Sequence, residues 1–547
     1  MFKNASARFK SLFTGIDWKL LLFLILFLNV KLPVKIVAII LIYILQPNTR
    51  FGFKWRFSRL PLFYAGMIVI ALINWLLNGN YTYLNENISL GLGIGFWLLC
   101  ILSIHQLKLF VDNNDPATVH NTLRLFFMLN ALVSFLNYFI IVLKTHTLNP
   151  YQFQGDFQKY FLSTGDMIRG ISFDVSTTNG LLNAYGIIYF IRKKQPLMTM
   201  ACMAVLLMTG SNFSNILIAG VLLYMFLFGS DRLQKSLVVI CLFLLVLFIT
   251  KVSPQNNEYA IASINQLMGK PPPAVKNRQL RTVTDIHRPD SLLSFDEKRR
   301  KIAQHYLDSL STEIQKRRLL SKKKKNKLKP PDLAVMTPDL NSGFYMRKLD
   351  TSESRRELLA MAHDPVNLPF NILADSTYRR GLPGKLVAFK QTYLFFKDNP
   401  ARLATGIGTG NFSSKLAYRT TGLGISGSYP KKLIYINPWF RINHFALFML
   451  YFSRDEALHS IINTSNCVYD QLLSEYGIAG VLLFLFFYLG FFTIRAKKVA
   501  YSMPLILLTL SAFMIDYWYE QLSIVIIFEL LLLLDIKETS DPEKKTP

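Results

Sequence analysis

This sequence is poor in what a soluble enzyme normally carries. It has four cysteines in 547 residues, and Cys100, Cys202 and Cys241 fall inside apolar runs, leaving only Cys467 in a segment expected to lie outside the membrane. That pattern excludes a disulfide framework and a paired-cysteine metal site. There is no P-loop, no His-Glu-x-x-His, no Cys-x-x-Cys and no histidine pair at metal-ligand spacing, so ATP-driven and metal-dependent chemistry have no motif to rest on. Charged residues are scarce at 17%, whereas hydrophobic residues make up 51% and aromatics 14%. This balance is too apolar for an ordinary soluble domain. The formal charge of +27 would suggest nucleic acid in a soluble protein. Beside runs long enough to cross a bilayer, it points to anionic lipid, lipid-linked phosphates or acidic glycans.

A spanning helix takes about 20 mostly apolar residues. Twelve runs are candidates, near 17–31, 32–47, 60–78, 87–107, 122–143, 179–192, 196–210, 213–230, 234–252, 476–494, 503–519 and 520–536. Pro33 splits the first two, which form either a tight hairpin or one broken helix, so the total is twelve or eleven. The first run has no small-residue cleavage site after it and reads as a retained helix rather than a signal peptide. The predicted fold is all-α: a polytopic membrane helix bundle of about 12 transmembrane helices with a large extracytoplasmic helical loop.

Short loops rich in lysine and arginine stay cytoplasmic. Arg50, Lys54, Arg56 and Arg59 mark 48–59 as inside, and Arg192 to Lys194, Arg232 with Lys235, and Arg495, Lys497 and Lys498 fall inside on the same count. The alternate connections 79–86 and 211–212 carry no basic residue. The predicted layout is helices one to nine over 1–252, an outer loop over 253–475, helices ten to twelve over 476–537 and a cytoplasmic tail at 538–547. In a bacterium this is an inner-membrane protein whose large loop is periplasmic.

Within that loop, Ser294 with Glu297 makes a capping box, and Ile302, Tyr306, Leu310 and Ile314 recur at one-turn spacing, predicting an amphipathic helix. Further helices are expected over 384–397 and, rich in aromatics and suited to the interface, 439–461. Lys322 to Lys325 with Lys327 and Lys329, ahead of Pro330 and Pro331, read as a solvated charged linker, with attraction of anionic headgroups as the sharper alternative. Gly422 to Gly427 spells G-x-G-x-x-G, but no strand precedes it and a dinucleotide site is not expected.

Polar chemistry gathers at the outer ends of helices, where a charge is costly and tends to be functional or paired. Arg169 opens the run to Gly180 that enters the sixth helix, and its guanidinium can grip a diphosphate bidentately; snorkelling, or pairing with Asp166 or Asp174, is the blander reading. The second cluster is Phe395 to Pro400 followed by Gly406-Ile-Gly408-Thr-Gly410-Asn411-Phe412, whose alternating glycines suit a tight turn or close backbone approach. The third is Ser465 to Gly480, with Asn466 and Glu475 either functional or capping.

In this order around one outer loop, the three clusters resemble the O-antigen ligase and polysaccharide polymerase family of bacterial membrane proteins. The matching stretches are Arg169 to Asn179, Asp398 to Phe412 and Asn466 to Gly480, with Ser376 to Arg380 resembling a Ser/Arg element before the second. The resemblance covers about 165–495 in outline; within the outer loop the family-like part is 371–475, and a basic insertion around 255–370 has no match.

Membership would imply a metal-independent membrane glycosyltransferase without a cofactor. It would move a glycan from undecaprenyl pyrophosphate to the lipid A core or to another lipid-linked repeat in lipopolysaccharide biosynthesis. Fixed arginines would stabilise the leaving pyrophosphate, which makes Arg169 and Arg380, or its neighbour Arg379, the candidates. Asn179, Gly408, Gly410, Asn411 and Asn466 would line the substrate. The acceptor hydroxyl needs a base. The family histidine is Ser465 here, so His444, His459 or Glu475 would have to serve, unless Glu475 only orients the loop. Ser211-Asn212 stands where relatives often have Ser-Arg. The competing class is a transporter or flippase of lipid-linked oligosaccharides, which calls for an internal repeat and charges at mid-membrane depth. Neither is expected from this sequence. A third class, an external sensor or scaffold built around 253–440, would not need Arg169 at a helix entrance.

Overall fold

The computed structural model describes residues 15–54, 58–79, 82, 84–145, 148–149, 168–252, 384–420, 437–445, 447, 464–495 and 501–540. Among them every regular element is helical. The chain opens with α1 (Trp18–Phe27) and α2 (Leu32–Leu45), a hairpin in which the Asp17 side chain caps α1 and Pro33 sits in the first turn of α2. Proline is tolerated there because that N–H has no helical partner to lose. Then follow α3 (Phe63–Leu77), α4 (Leu84–Asn113), α5 (Pro116–Thr145), a 3-10 turn (Gly170–Ser172), α6 (Ser176–Arg192), α7 (Pro196–Met208) and α8 (Asn212–Leu227). Next is α9 (Arg232–Leu247), opened by an Asp231/Gln234 capping box and closed by a π turn (Phe248–Val252).

Beyond lie α10 (Gly384–Asp398), α11 (Lys415–Thr420) and the short α12 (Pro438–Phe440), which runs into a π turn (Arg441–Phe445). The chain closes with α13 (Val468–Leu483), a π turn (Phe484–Leu489), α14 (Gly490–Arg495), α15 (Ser502–Ala512), α16 (Trp518–Gln521) and α17 (Ser523–Ser540).

Among the described residues four helices are long and apolar enough to cross a membrane: Leu84–Asn113, Pro116–Leu143, Arg232–Val252 and Val468–Arg495. Six shorter apolar helices accompany them. Each of the twelve apolar runs contains a helix, although several ends differ: α4 runs on to Asn113 rather than stopping near 107, and α5 begins at Pro116 rather than near 122. The tenth begins at Val468 rather than near 476, because the polar turn Asp470 to Glu475 is itself helical and buried. The eleventh stops at Ala512 rather than near 519, where Phe513 and Ile515 fold back on Thr509 and Ala512. The predicted helix over 384–397 is α10. Of the one expected over 439–461, α12 and its π turn occupy the start and most of the remainder lies outside the described residues, as do 294–314, 322–331 and 422–427.

Two helices form the centre. Ile524–Leu534 of α17 is almost wholly buried, and so is α6 from Thr178 to Ile191. Around them, peripheral helices bury one face and expose the other. Helix α9 hides Leu237, Val238, Cys241 and Leu245 while Val239, Ile240, Phe243 and Val246 remain exposed. Apolar side chains on both faces suit a helix between protein and lipid. All four cysteines are free and buried.

The basic loops meet at one end. Arg59 pairs with Asp112 at 2.9 Å, Lys537 donates to the carbonyls of Val111 and Asn114 at 2.6 Å, Lys193 pairs with Glu538 at 2.6 Å, and Arg495 donates to the Ser58 carbonyl at 2.6 Å. The opposite end gathers the 28–35 turn, the 3-10 turn, residues 403–416 and the starts of α13 and α16, and there Val30 donates its N–H to the Ser172 carbonyl at 2.8 Å.

Candidate functional site

The second and third sequence clusters interlock through a break in a helix. At Gly477, α13 turns to φ 67°, ψ −164°, which removes helical hydrogen bonds from the residues on either side. Residues 403–408 replace them. Ile407 donates its N–H to the Ser474 carbonyl and Gly408 to that of Glu475, both at 3.0 Å, while Ile478 donates to Leu403 at 2.9 Å and Ala479 to Ala404 at 3.1 Å. Backbones approach this closely only where side chains are missing. A Cβ on Gly477 would lie 2.5 Å from the Ala404 carbonyl oxygen, and one on Gly406 2.5 Å from the Tyr476 nitrogen. Asn74 of α3 holds the segment from below, donating to the carbonyls of Gly406 at 2.6 Å and Thr405 at 2.8 Å.

Glu475 lies at the centre of this arrangement and is fully buried. Its Oε2 accepts from the Gly410 N–H at 2.8 Å, and its Oε1 accepts from Phe412 at 3.0 Å, Ser413 at 3.1 Å and Ser414 at 3.0 Å. Positive φ at Gly408 (111°) and Gly410 (79°) curls the loop so that these amides converge on one carboxylate. Four donors occupy both oxygens, so Glu475 holds the loop rather than presenting a free oxygen to a substrate. Asn411 is buried in the same loop.

His444 is also fully buried, with Nε2 at 3.0 Å from Asp470 Oδ2 and Nδ1 at 2.9 Å from Gln391 Oε1. Thr392 donates to the other Asp470 oxygen at 2.7 Å. With both ring nitrogens engaged, His444 fastens α10 and the 441–445 turn to α13. Lys385 extends the clamp, donating to Thr464 Oγ1 at 3.3 Å, to the Ile515 carbonyl at 3.0 Å and to the Asn466 carbonyl. Burial pushes the Lys385 ammonium down to about 8. Asn466 therefore takes part through its backbone carbonyl, and the residue preceding α13 is Cys467, which makes no side-chain cap.

The first cluster presents Arg169 on a separate support. Asn130 accepts the Ile171 N–H at 3.0 Å and donates to Asn179 Oδ1 at 2.9 Å, while Asn179 donates to the Ile168 carbonyl and to Ser134, each at 3.0 Å. Both asparagines are buried, so Asn179 fixes the turn and does not line a surface. Arg169, at the start of the 3-10 turn, is exposed. Ser211, in the Ser-Asn departure from the family pattern, caps α8 by accepting the Ser214 N–H.

Between the two supports lies a cluster of buried charge, much of it not anticipated from the sequence. Lys35 of α2 feels the charges of Asp174 and Lys415, and Asp516 feels those of Lys415 and Asp174. Burial also pushes the Asp516 carboxyl up. Asp516 accepts from the Tyr517 N–H at 2.8 Å and the Gln521 amide at 2.7 Å, and Glu520 accepts from the Lys415 N–H at 3.1 Å and the Gln471 amide at 2.7 Å. Asp174 belongs to the first cluster and Lys415 follows the second, so this cluster joins the sequence motifs. Lys35 and Asp516 carried a readable signal, a charge inside an apolar run. Arg379, Arg380 and His459 lie outside the described residues. No group of three or more His, Cys, Asp or Glu side chains among the described residues is arranged to hold a metal ion.

Fold and site define a class: an all-helical membrane protein with a broken helix and a buried charge cluster at one end of the bundle. No family model, no curated protein and no solved structure matches the chain.

Proposed function

We propose that this protein transfers a glycan from a lipid-linked diphosphate, in the manner of O-antigen ligases and polymerases, at the end of the bundle that carries the charge cluster. The observation that carries the reading is the interlock of 403–414 with 474–479 around Glu475. Sequence stretches about 65 residues apart, singled out for resembling that family, make one structure. On this reading about twelve helices cross the bacterial inner membrane. The basic-loop end is cytoplasmic, and 253–475 is a large periplasmic loop.

Undecaprenyl pyrophosphate is the donor, and a lipid A core or a second lipid-linked repeat is the acceptor. As the anomeric bond breaks, charge builds on the pyrophosphate, and cationic donors already in place stabilise it without reorganising. Arg169, exposed at the start of the 3-10 turn, is the candidate for this role, and Lys415 belongs to the buried charge cluster. A base must take the acceptor proton. Glu475 and His444 are engaged in holding the fold, and among the acids of the charge cluster we assign this role to Asp516, whose carboxyl burial pushes up.

The test is the glycan banding pattern of surface lipopolysaccharide from a deletion strain complemented with wild type, Arg169→Ala or Asp516→Asn. A single-repeat band that neither variant rescues gives a polymerase. Loss of all attached glycan, with lipid-linked polymer accumulating, gives a ligase. An unchanged ladder in the deletion strain rejects lipopolysaccharide as the product.

One observation favours the second reading, a transporter of lipid-linked oligosaccharides. The sequence was expected to hold no charge at mid-membrane depth, yet Glu529 lies in the middle of α17, fully buried. An unchanged ladder with failed export of the lipid-linked unit would select that reading.

A further inference from the structure

The buried glutamate of α17 lies apart from the residues of the proposed glycan transfer, and its hydrogen-bond donors are phenol hydroxyls, whereas those of Glu475 are backbone amides. Glu529 interrupts the run from Ile524 to Leu534 and is 0% exposed. Its Oε1 accepts from the hydroxyl of Tyr488 at 3.1 Å and from that of Tyr64. Tyr64 comes from α3. Tyr488 comes from the π turn Phe484–Leu489 of the helix that follows the Gly477 break. Such π turns recur at functional positions in helices. The other oxygen, Oε2, is buried without a hydrogen-bond partner among the described residues.

The groups acting on this carboxyl and its tyrosines are Cys100 of α4 and Tyr519 of α16, and α6 faces the same core with Tyr185. None is basic. A bare carboxylate in such a place, without a counter-charge, carries a large desolvation penalty. A metal cation in its stead would need a shell of about six oxygens, and the carboxyl and two phenols supply four.

We propose that Glu529 is a proton-binding site in the core of the membrane bundle, the proton residing on Oε2 while Oε1 accepts from the two tyrosines. The O–H bond is the only one made, and the proton comes from and returns to solvent when the helices part. The site lies outside the glycan-transfer machinery and stands or falls independently of it.

The test is infrared difference spectroscopy of the full chain in lipid nanodiscs, wild type minus Glu529→Gln, at neutral pH. The expected result is loss of one carboxylic-acid carbonyl band, and a Tyr64→Phe variant should shift that same band by removing one donor. Tyr64→Phe keeps the test open if Glu529→Gln does not fold, since the shift is read with the acid present. Loss of carboxylate bands in place of the acid band would overturn the proposal. So would a band that responds to sodium, or a Tyr64→Phe spectrum unchanged in the acid region.

Discussion

Glu475 and Glu529 are two buried glutamates whose surroundings were built by different means. Around Glu475 the donors are backbone amides of one loop; around Glu529 they are hydroxyls from two helices. Amides can converge on a carboxylate only where the chain curls with positive φ, so the first site depends on glycines and is local to one segment. Hydroxyls reach from a distance, so the second site leaves helices regular apart from one π turn and scatters its residues over 465 positions. The amide cradle is rigid and specific for an acceptor, whereas the phenols can donate to an acid, an amide or an ion.

The largest way to break this contrast is Gly406→Ala. The new methyl would meet the backbone of Glu475 and Tyr476 at a residue with φ 76°, where neither side can yield. The expected cost is about 4 kcal/mol or outright failure to assemble the site, read as a lost thermal transition in nanodiscs. Next is the same substitution at both glutamates. Glu475→Gln places an amide nitrogen against N–H donors and should cost about 3 kcal/mol. Glu529→Gln keeps an acceptor for both phenols and should cost under about 1 kcal/mol. Equal costs would mean that the two sites do not differ in the way their donors suggest.

The amide cradle was the more legible of the two. Gly406-x-Gly-x-Gly and the Glu475 segment both stood out in the sequence, and the helices announced themselves as apolar runs. Their pairing did not, because nothing local tells residue 407 that its N–H belongs to Ser474. Hydropathy also placed the start of α13 too late, since it follows apolar residues and this helix begins with a polar turn buried against the outer segments. The tyrosine cradle was missed altogether. Tyr64 and Tyr488 look like ordinary aromatics of a membrane helix, and Glu529 sits in a run whose mean hydropathy hides the acid at its centre. His444 was picked as a base for its chemistry, and only the fold shows both nitrogens taken.

Lys385 offers a pH-dependent comparison within the site around Glu475 and His444. Its folded value is about 8, against 10.5 for a free lysine. Below about 8 it is protonated in both states and the full cost of burying the charge is present. Between about 8 and 10.5 the unfolded chain holds more protons, so this group's contribution to stability rises with pH, and above 10.5 it levels off. Lys385→Met should flatten that part of the profile of melting temperature against pH. A variant with the wild-type slope would remove Lys385 as its source.

The finest comparison is between the two tyrosines. Tyr64→Phe and Tyr488→Phe each delete one donor to Glu529 Oε1 and leave the ring packing in place, so each should cost about 1 kcal/mol. Singly, either leaves the carboxyl one phenol. Together they leave it none, so the double variant should exceed the sum of the singles by about 1 kcal/mol. The outer site should not respond, because Glu475 draws its donors from a different segment; an altered glycan ladder in Tyr488→Phe would show instead that the π turn of α13 carries strain up to the broken helix. Strict additivity in the pair would mean that the two phenols donate to the carboxyl independently, without the shared dependence that a single cradle implies.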